Sequence, residues 1–298
     1  MFWKLINLDV RPDVLFTIPG INLPVTNTLL CTWIVILVLA VLVFGFIRRR
    51  QDLVPHGFQN FAEWAVESLQ NLVEGVSGKE KGRKFFPLVA TLFVFILFGN
   101  LLDVFPGIDT IGTVNGATNP VNLGPIHLLF GNDSNLLIPW FRPPTTDLNL
   151  TFAMAIIVVI VCQVVGFATL GAGSHLSKYF RVQGMLKKGV SGPIEFFVGL
   201  VEIITEVSRI LSFAFRLFGN IFAGSAVLAV FGFLTVGIAN LVFIPLEIFV
   251  AFVQALVFAL LTLVFLEMAS TGHDHEEHEE EAHAEVAPAE ARQLASTH

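Results

Sequence analysis

Leu29 to Ile47 is a run of 19 residues without a charge, closed by Arg48, Arg49 and Arg50. As a helix rising about 1.5 Å per residue, it matches the hydrocarbon thickness of a bilayer, and the basic triplet marks its inner end. Two more charge-free runs follow. Phe85 to Leu102 comes after Lys79, Lys81, Arg83 and Lys84, and Leu148 to Ser174 comes before Lys178, Arg181, Lys187 and Lys188. The basic clusters alternate as inner loops would, which predicts an N-terminus outside and a C-terminus in the cytoplasm.

The rest of the composition agrees with a polytopic membrane protein. Hydrophobic residues make up 54% of the chain and charged residues 14%, which excludes an ordinary soluble domain. The formal charge of -7 comes largely from the residues after Glu267, so the body offers no basic surface for nucleic acid. Cys31 and Cys162 lie inside apolar runs and read as small hydrophobic residues, with no disulfide and no metal site. The opening MFWKLINLDVRPDV lacks the order of a cleaved leader, so insertion is expected to rest on the spans.

Between the first two spans, VPHGFQNFAEWAVESLQNLVEG sets Phe58, Phe61, Ala65, Leu69, Leu72 and Val76 at helical spacing, with Glu63, Glu67 and Glu74 on the other side. This predicts an amphipathic helix lying on the inner membrane surface or against a partner's stalk. Thr110 to Thr146, rich in Gly, Pro, Asn and Thr, reads as an outer loop whose length suits a lid or a contact. His56, His127 and His175 stand alone and read as surface residues. HDHEEHEEEAHAE in the tail reads as a solvated, disordered stretch rather than a metal site. The chain therefore divides into a membrane domain, 1–270, and an acidic His-rich tail, 271–298.

The last part, Gly192 to Glu267, predicts two long helices in a hairpin turning near Gly232 to Ile244. Positions seven apart on a helix differ by only about 20°, so Glu202, Arg209 and Arg216 share one face, with Ser212 and Asn220 one turn either side of Arg216. On the returning helix Glu247 and Gln254 are again seven apart. Lipid rejects such stripes, so they face each other, a partner or water. After Arg216 thirty uncharged residues follow, Leu217 to Leu246, which places this cation deep. Glu202 lies about 21 Å away along the helix, beyond pairing distance, so the carboxylate opposite Arg216 is expected on another protein; snorkelling to the headgroups or local pairing with a carboxylate is the alternative.

RLFGN followed by IFAG, with the later glutamine in LEIFVAFVQALVFALLTLVFLEMA, resembles subunit a of rotary ATP synthases, the stator channel of the membrane sector. PHGFQNFAEWAVESL, FFPLVATLFVFILFGNLLDVFPG and PTTDLNLTFAMA extend the likeness over most of the chain. The resemblance implies an all-α subunit with about five membrane-embedded helices, the last two a long tilted hairpin, plus the surface helix. It implies a bacterial-type plasma membrane and a non-catalytic role without a cofactor, in which two half-channels deliver protons to a rotating c-ring. Its partners would be that ring, on the Arg216 face, the peripheral stalk subunit b, and lipid.

On the matching positions the resemblance implies that Arg216 is the family's essential arginine, Asn220 and Gln254 the polar pair beside it, and Glu202 a carboxylate toward the cytoplasmic exit. The family's proton-handling pair falls on Ser225 and Glu247, so the usual acid on the first helix is absent here and Glu247 is the titratable group at that depth. Ser225 falls on the far side of its helix from Arg216. Asn100, Asp103 and Asp147 near the outer face could gather protons for an inlet, or serve as interfacial and capping residues; Asp147 precedes a helix as an N-cap does. Glu206 and Arg209, three apart, can pair. A self-contained channel or transporter would need its own charge partners and often internal repeats, and an intramembrane hydrolase would need a nucleophile or metal motif; neither signature is present.

Overall fold

The structure is a computed structural model and describes residues 12–18, 20, 22–47, 57–105, 111–114, 121–123, 126–128, 137–171, 192–234 and 240–271. The expectations for the tail beyond 271, for the basic loop between the third and fourth helices, and for His56 and His175 lie outside these residues.

Five helices are long and apolar enough to cross a membrane. The first, α1, spans Asn27–Val41 and continues as a π-helical stretch through Ile47. It starts two residues before the apolar run because Thr26 caps it, its hydroxyl accepting from Leu29 N at 3.3 Å. The second, α2, runs Phe58–Val104 and joins the predicted surface helix to the predicted span. These are two helices meeting at Gly78, whose φ of 72° and ψ of 168° belong to a region that essentially only glycine occupies. The basic residues Lys79 to Lys84 are therefore the first turns of the span and not a loop.

The third helix, α3, is Leu148–Leu170, and the hairpin consists of α4, Gly192–Leu234, and α5, Asn240–Ser270. The expected hairpin turn coincides with the end of α4 and the start of α5. α2 lies chiefly along α5, and α3 along α4. The core between them uses small residues, Ala155, Ala214, Ala255 and Ala259, that let backbones approach as membrane helices require. Phe213 fills the middle, edge-on to Phe258 at 4.8 Å and to Phe265 at 5.5 Å between ring centroids. Large apolar side chains such as Trp33, Leu37, Ile160, Val164 and Phe252 point outward, as a lipid-facing surface does.

Short antiparallel ribbons, absent from the sequence expectation, precede α1 and lie within the loop between α2 and α3. β1, Val14–Ile18, pairs with β2, Leu23–Thr26, and β3, Gly112–Val114, pairs with β6, Leu137–Pro139, closing the long loop. Within that loop β4, Val121–Leu123, pairs with β5, Ile126–Leu128. The Asn27 amide donates to Pro139 O at 3.3 Å, which ties the loop to the start of α1. At the opposite end Lys81 donates to Glu267 at 2.6 Å, joining the first turns of the α2 span to the last turn of α5.

Candidate functional site: a polar seam between the last two helices

The buried face of α4 is set by Phe213, Ala214, Leu217 and Ile221, spaced so that all four turn into the bundle. Arg216 lies off that face and is exposed, and it makes no hydrogen bond or ion pair among the described residues. Its neighbour Phe215 packs edge-on against Phe152 of α3 at 5.7 Å, while Leu217 is wholly buried. The backbone around the cation is thus fixed while the guanidinium is left outside. Ser212, one turn before, is also exposed, and Asn220, one turn after, is half-buried.

α5 turns its polar residues inward. Glu247 and Gln254 lie on the same face as Ala251, Ala255, Phe258 and Thr262, with exposures of 8% and 7%. Glu247 Oε1 and Gln254 Nε2 are buried and find no hydrogen-bond partner in the described structure. Polar atoms in that condition inside a membrane protein mark a place where water, an ion or a moving group is expected.

The Glu247 carboxylate packs against Gly224 of α4: a Cβ added there would come within 2.6 Å of its Cδ. One residue on, Ser225 Oγ lies 2.9 Å from Asp103 Oδ2 at the end of α2. Carboxylates from α2 and α5 therefore meet consecutive residues of α4. Neither contact was read from the sequence. Gly224 could have been flagged, because a glycine within a long helix often marks a close approach; the Ser225 to Asp103 pairing has no local signal, since 122 residues separate them.

Asn100, one turn before Asp103, is wholly buried with both amide atoms unpartnered. Asp147 is 9% exposed and caps α3, its Oδ1 accepting from Asn149 N at 2.9 Å and its Oδ2 from the Thr28 hydroxyl at 2.9 Å. It faces α1 and the start of its own helix.

Toward the other end of α4, Arg209 donates to Glu206 at 3.0 Å, Gln163 of α3 donates to the same carboxylate at 2.7 Å, and the guanidinium lies 4.1 Å from the Phe265 ring centre. The stripe expected over Glu202, Arg209 and Arg216 thus divides: Arg209 turns into the bundle and is satisfied there, whereas Arg216 stays outside. Glu202 is half-buried on the same helix.

Comparison with known proteins follows this geometry. Residues 29–267 match the family model described as ATP synthase A chain. The chain is 32% identical over 244 residues to ATP synthase subunit a of Citrifermentans bemidjiense, covering 82% of this chain and 87% of that protein. It is 33% identical over 238 residues to ATP synthase subunit a of Campylobacter jejuni subsp. doylei, covering 78% and 85%. With ATP synthase subunit a of Oceanobacillus iheyensis it shares 27% over 261 residues, 85% and 92% of the two chains. The chain belongs to the ATP synthase subunit a family, and is an all-α, multi-pass membrane protein of the synthase's membrane sector.

Proposed function

We propose that this chain is the proton-translocating stator subunit of a bacterial ATP synthase, and that it presents Arg216 to the carboxylates of a rotating c-ring. The observation that carries the reading is the exposed guanidinium of Arg216, without a hydrogen bond or ion pair among the described residues, on a membrane helix that carries no further charge after it. A permanent cation in that setting calls for an anion, and none of the described residues supplies it, which supports one carried by a partner. A ring carboxylate arriving beside it favours its ionised form, so it gives up its proton and cannot carry it past. Asn220 and Gln254 flank this crossing point, with Ser212 on the same exposed side.

The outer half-channel runs by Asn100, Asp103, Ser225 and Glu247, with Asp147 near its mouth, and Glu202 belongs to the inner one. The chain itself catalyses no reaction; the drive is about 2.3 kcal/mol for each charge per 100 mV of membrane potential. The N-terminus faces outside and the C-terminus the cytoplasm, in keeping with the arginines after α1. The helix before Gly78 lies at the cytoplasmic surface, where exposed Phe61 and Trp64 serve contact with lipid or with the peripheral stalk subunit b. Residues 1–270 form the membrane domain, and 271–298 a solvated tail.

The test is Arg216→Ala in membranes holding the complete synthase, with proton-driven ATP synthesis and passive proton leak both measured. Synthesis is lost and the assembled complex remains; coupled synthesis at the normal rate would sink the mechanism. A conducting chain purified free of the ring would favour a self-contained channel.

A further inference from the structure

Ser225 has one hydroxyl proton and two acceptors. Its Oγ lies 2.9 Å from Asp103 Oδ2 on α2 and 2.9 Å from Ile221 O on its own helix. A hydroxyl donates once and accepts through its lone pairs, an ionised carboxylate only accepts, and a protonated carboxyl also donates. We propose that Ser225 is a two-position hydroxyl switch that lets Asp103 hold and release a proton while the hydrogen bond between the two side chains is kept.

With Asp103 ionised, the Ser225 proton points to Oδ2. The Ile221 carbonyl then keeps its ordinary helical bond from the backbone and is not orphaned. With Asp103 protonated on Oδ2, that new O–H donates to Ser225 Oγ, and the serine proton swings to Ile221 O. No heavy atom moves. The proton taken up on Oδ2 is the proton later released from it, and the serine keeps its own throughout.

The location gives this switch a use. Gly224, the preceding residue, touches the Glu247 carboxylate, so Asp103 and Glu247 approach one turn of α4 from two other helices. Asn100, with both amide atoms buried and unpartnered, stands one turn earlier on the same helix as Asp103. Arg216 is nine residues back, about 13 Å along α4, and is not in direct contact with this pair. Two titratable groups are thus gathered at one depth, and Ser225 is a positioning residue for the first. The inference rests on the proposed outer half-channel.

The test uses the complete synthase in proteoliposomes, with the rate of ATP synthesis followed against the pH of the inlet side. Ser225→Ala removes a donor that favours the ionised carboxylate more than the neutral one. Its rate is expected to fall about tenfold, with the midpoint of the pH profile displaced upward by about one unit. Ser225→Thr, which keeps the hydroxyl, restores the midpoint. An unchanged midpoint in Ser225→Ala overturns the switch. If that variant fails to assemble, Ser225→Cys, a much weaker donor, is read in the same way. Arg216→Ala separates the two readings: synthesis lost there, with an unaltered Ser225→Ala midpoint, removes the switch alone, whereas synthesis retained there removes the stator mechanism.

Discussion

The Glu247 carboxylate occupies the space that a side chain at Gly224 would fill, so the absence of a Cβ on α4 is what admits an acid from α5. Gly224→Ala should therefore displace the carboxylate while leaving the helix itself intact, since alanine is the better helix former. The expected result is a fully assembled complex whose proton-driven synthesis falls by about tenfold or more, as misplacement of a reacting group by an ångström does. Glu247→Gln should likewise slow translocation without loss of assembly. A Gly224→Ala complex working at the normal rate would show that Glu247 needs no notch.

Thr28 and Asp147 are both buried, and the hydroxyl of one donates to the carboxylate of the other at 2.9 Å. Thr28→Val keeps the shape and deletes the donor, leaving Asp147 with the Asn149 amide. A hydrogen bond to a charged group is worth about 1.5–3 kcal/mol, so thermal unfolding in detergent should shift down by several degrees. An unaltered melting profile would mean that the bond contributes nothing.

Arg209 is tested by two substitutions of different chemistry. Arg209→Ala leaves the Glu206 carboxylate, whose side chain is 15% exposed, with Gln163 but without its cation, and should cost about 2–4 kcal/mol. Arg209→Lys keeps the charge and loses the flat guanidinium over Phe265, for a cost of about 1 kcal/mol. The ranking is read from denaturation of the purified complex. Equal effects would show that charge is irrelevant there and that packing alone matters.

The elbow within α2 rests on two glycines for different reasons. Gly78→Ala forces a side chain into a backbone region meant for glycine, at about 1–3 kcal/mol. Gly82→Ala would bring a Cβ to 3.0 Å from Glu74 Cα, against backbone that has little room to yield. Both should loosen the helix before the bend, seen as faster hydrogen exchange over residues 58–77. Lys81→Ala breaks an ion pair whose lysine is 42% exposed and should change stability by less than about 1 kcal/mol. Protection unchanged in both glycine variants would rule out a fixed elbow.

Hydropathy and charge made the membrane helices legible, because a bilayer forces long apolar runs and leaves basic residues at their ends. It misread Lys79 to Lys84, which are helical because a single glycine turns the chain just before them. The ribbons closing the loop were not legible: their strands are three residues long and are held by pairing between distant segments. The periodicity of α4 and α5 brought out Arg216, Glu247 and Gln254 through their seven-residue spacing. It could not give the meeting of Gly224 with Glu247 or of Ser225 with Asp103, which depends on the relative depth and rotation of three helices. Those are fixed by packing of Phe213 and the alanines, not by any local pattern.

An unsatisfied guanidinium on the outside of a membrane helix also bears on how such a protein is made. Among the described residues nothing pairs with that charge, and binding to an anionic surface would remove its cost in the bilayer by mass action. The stability of the subunit in the membrane is therefore expected to rise once a partner's anion covers Arg216.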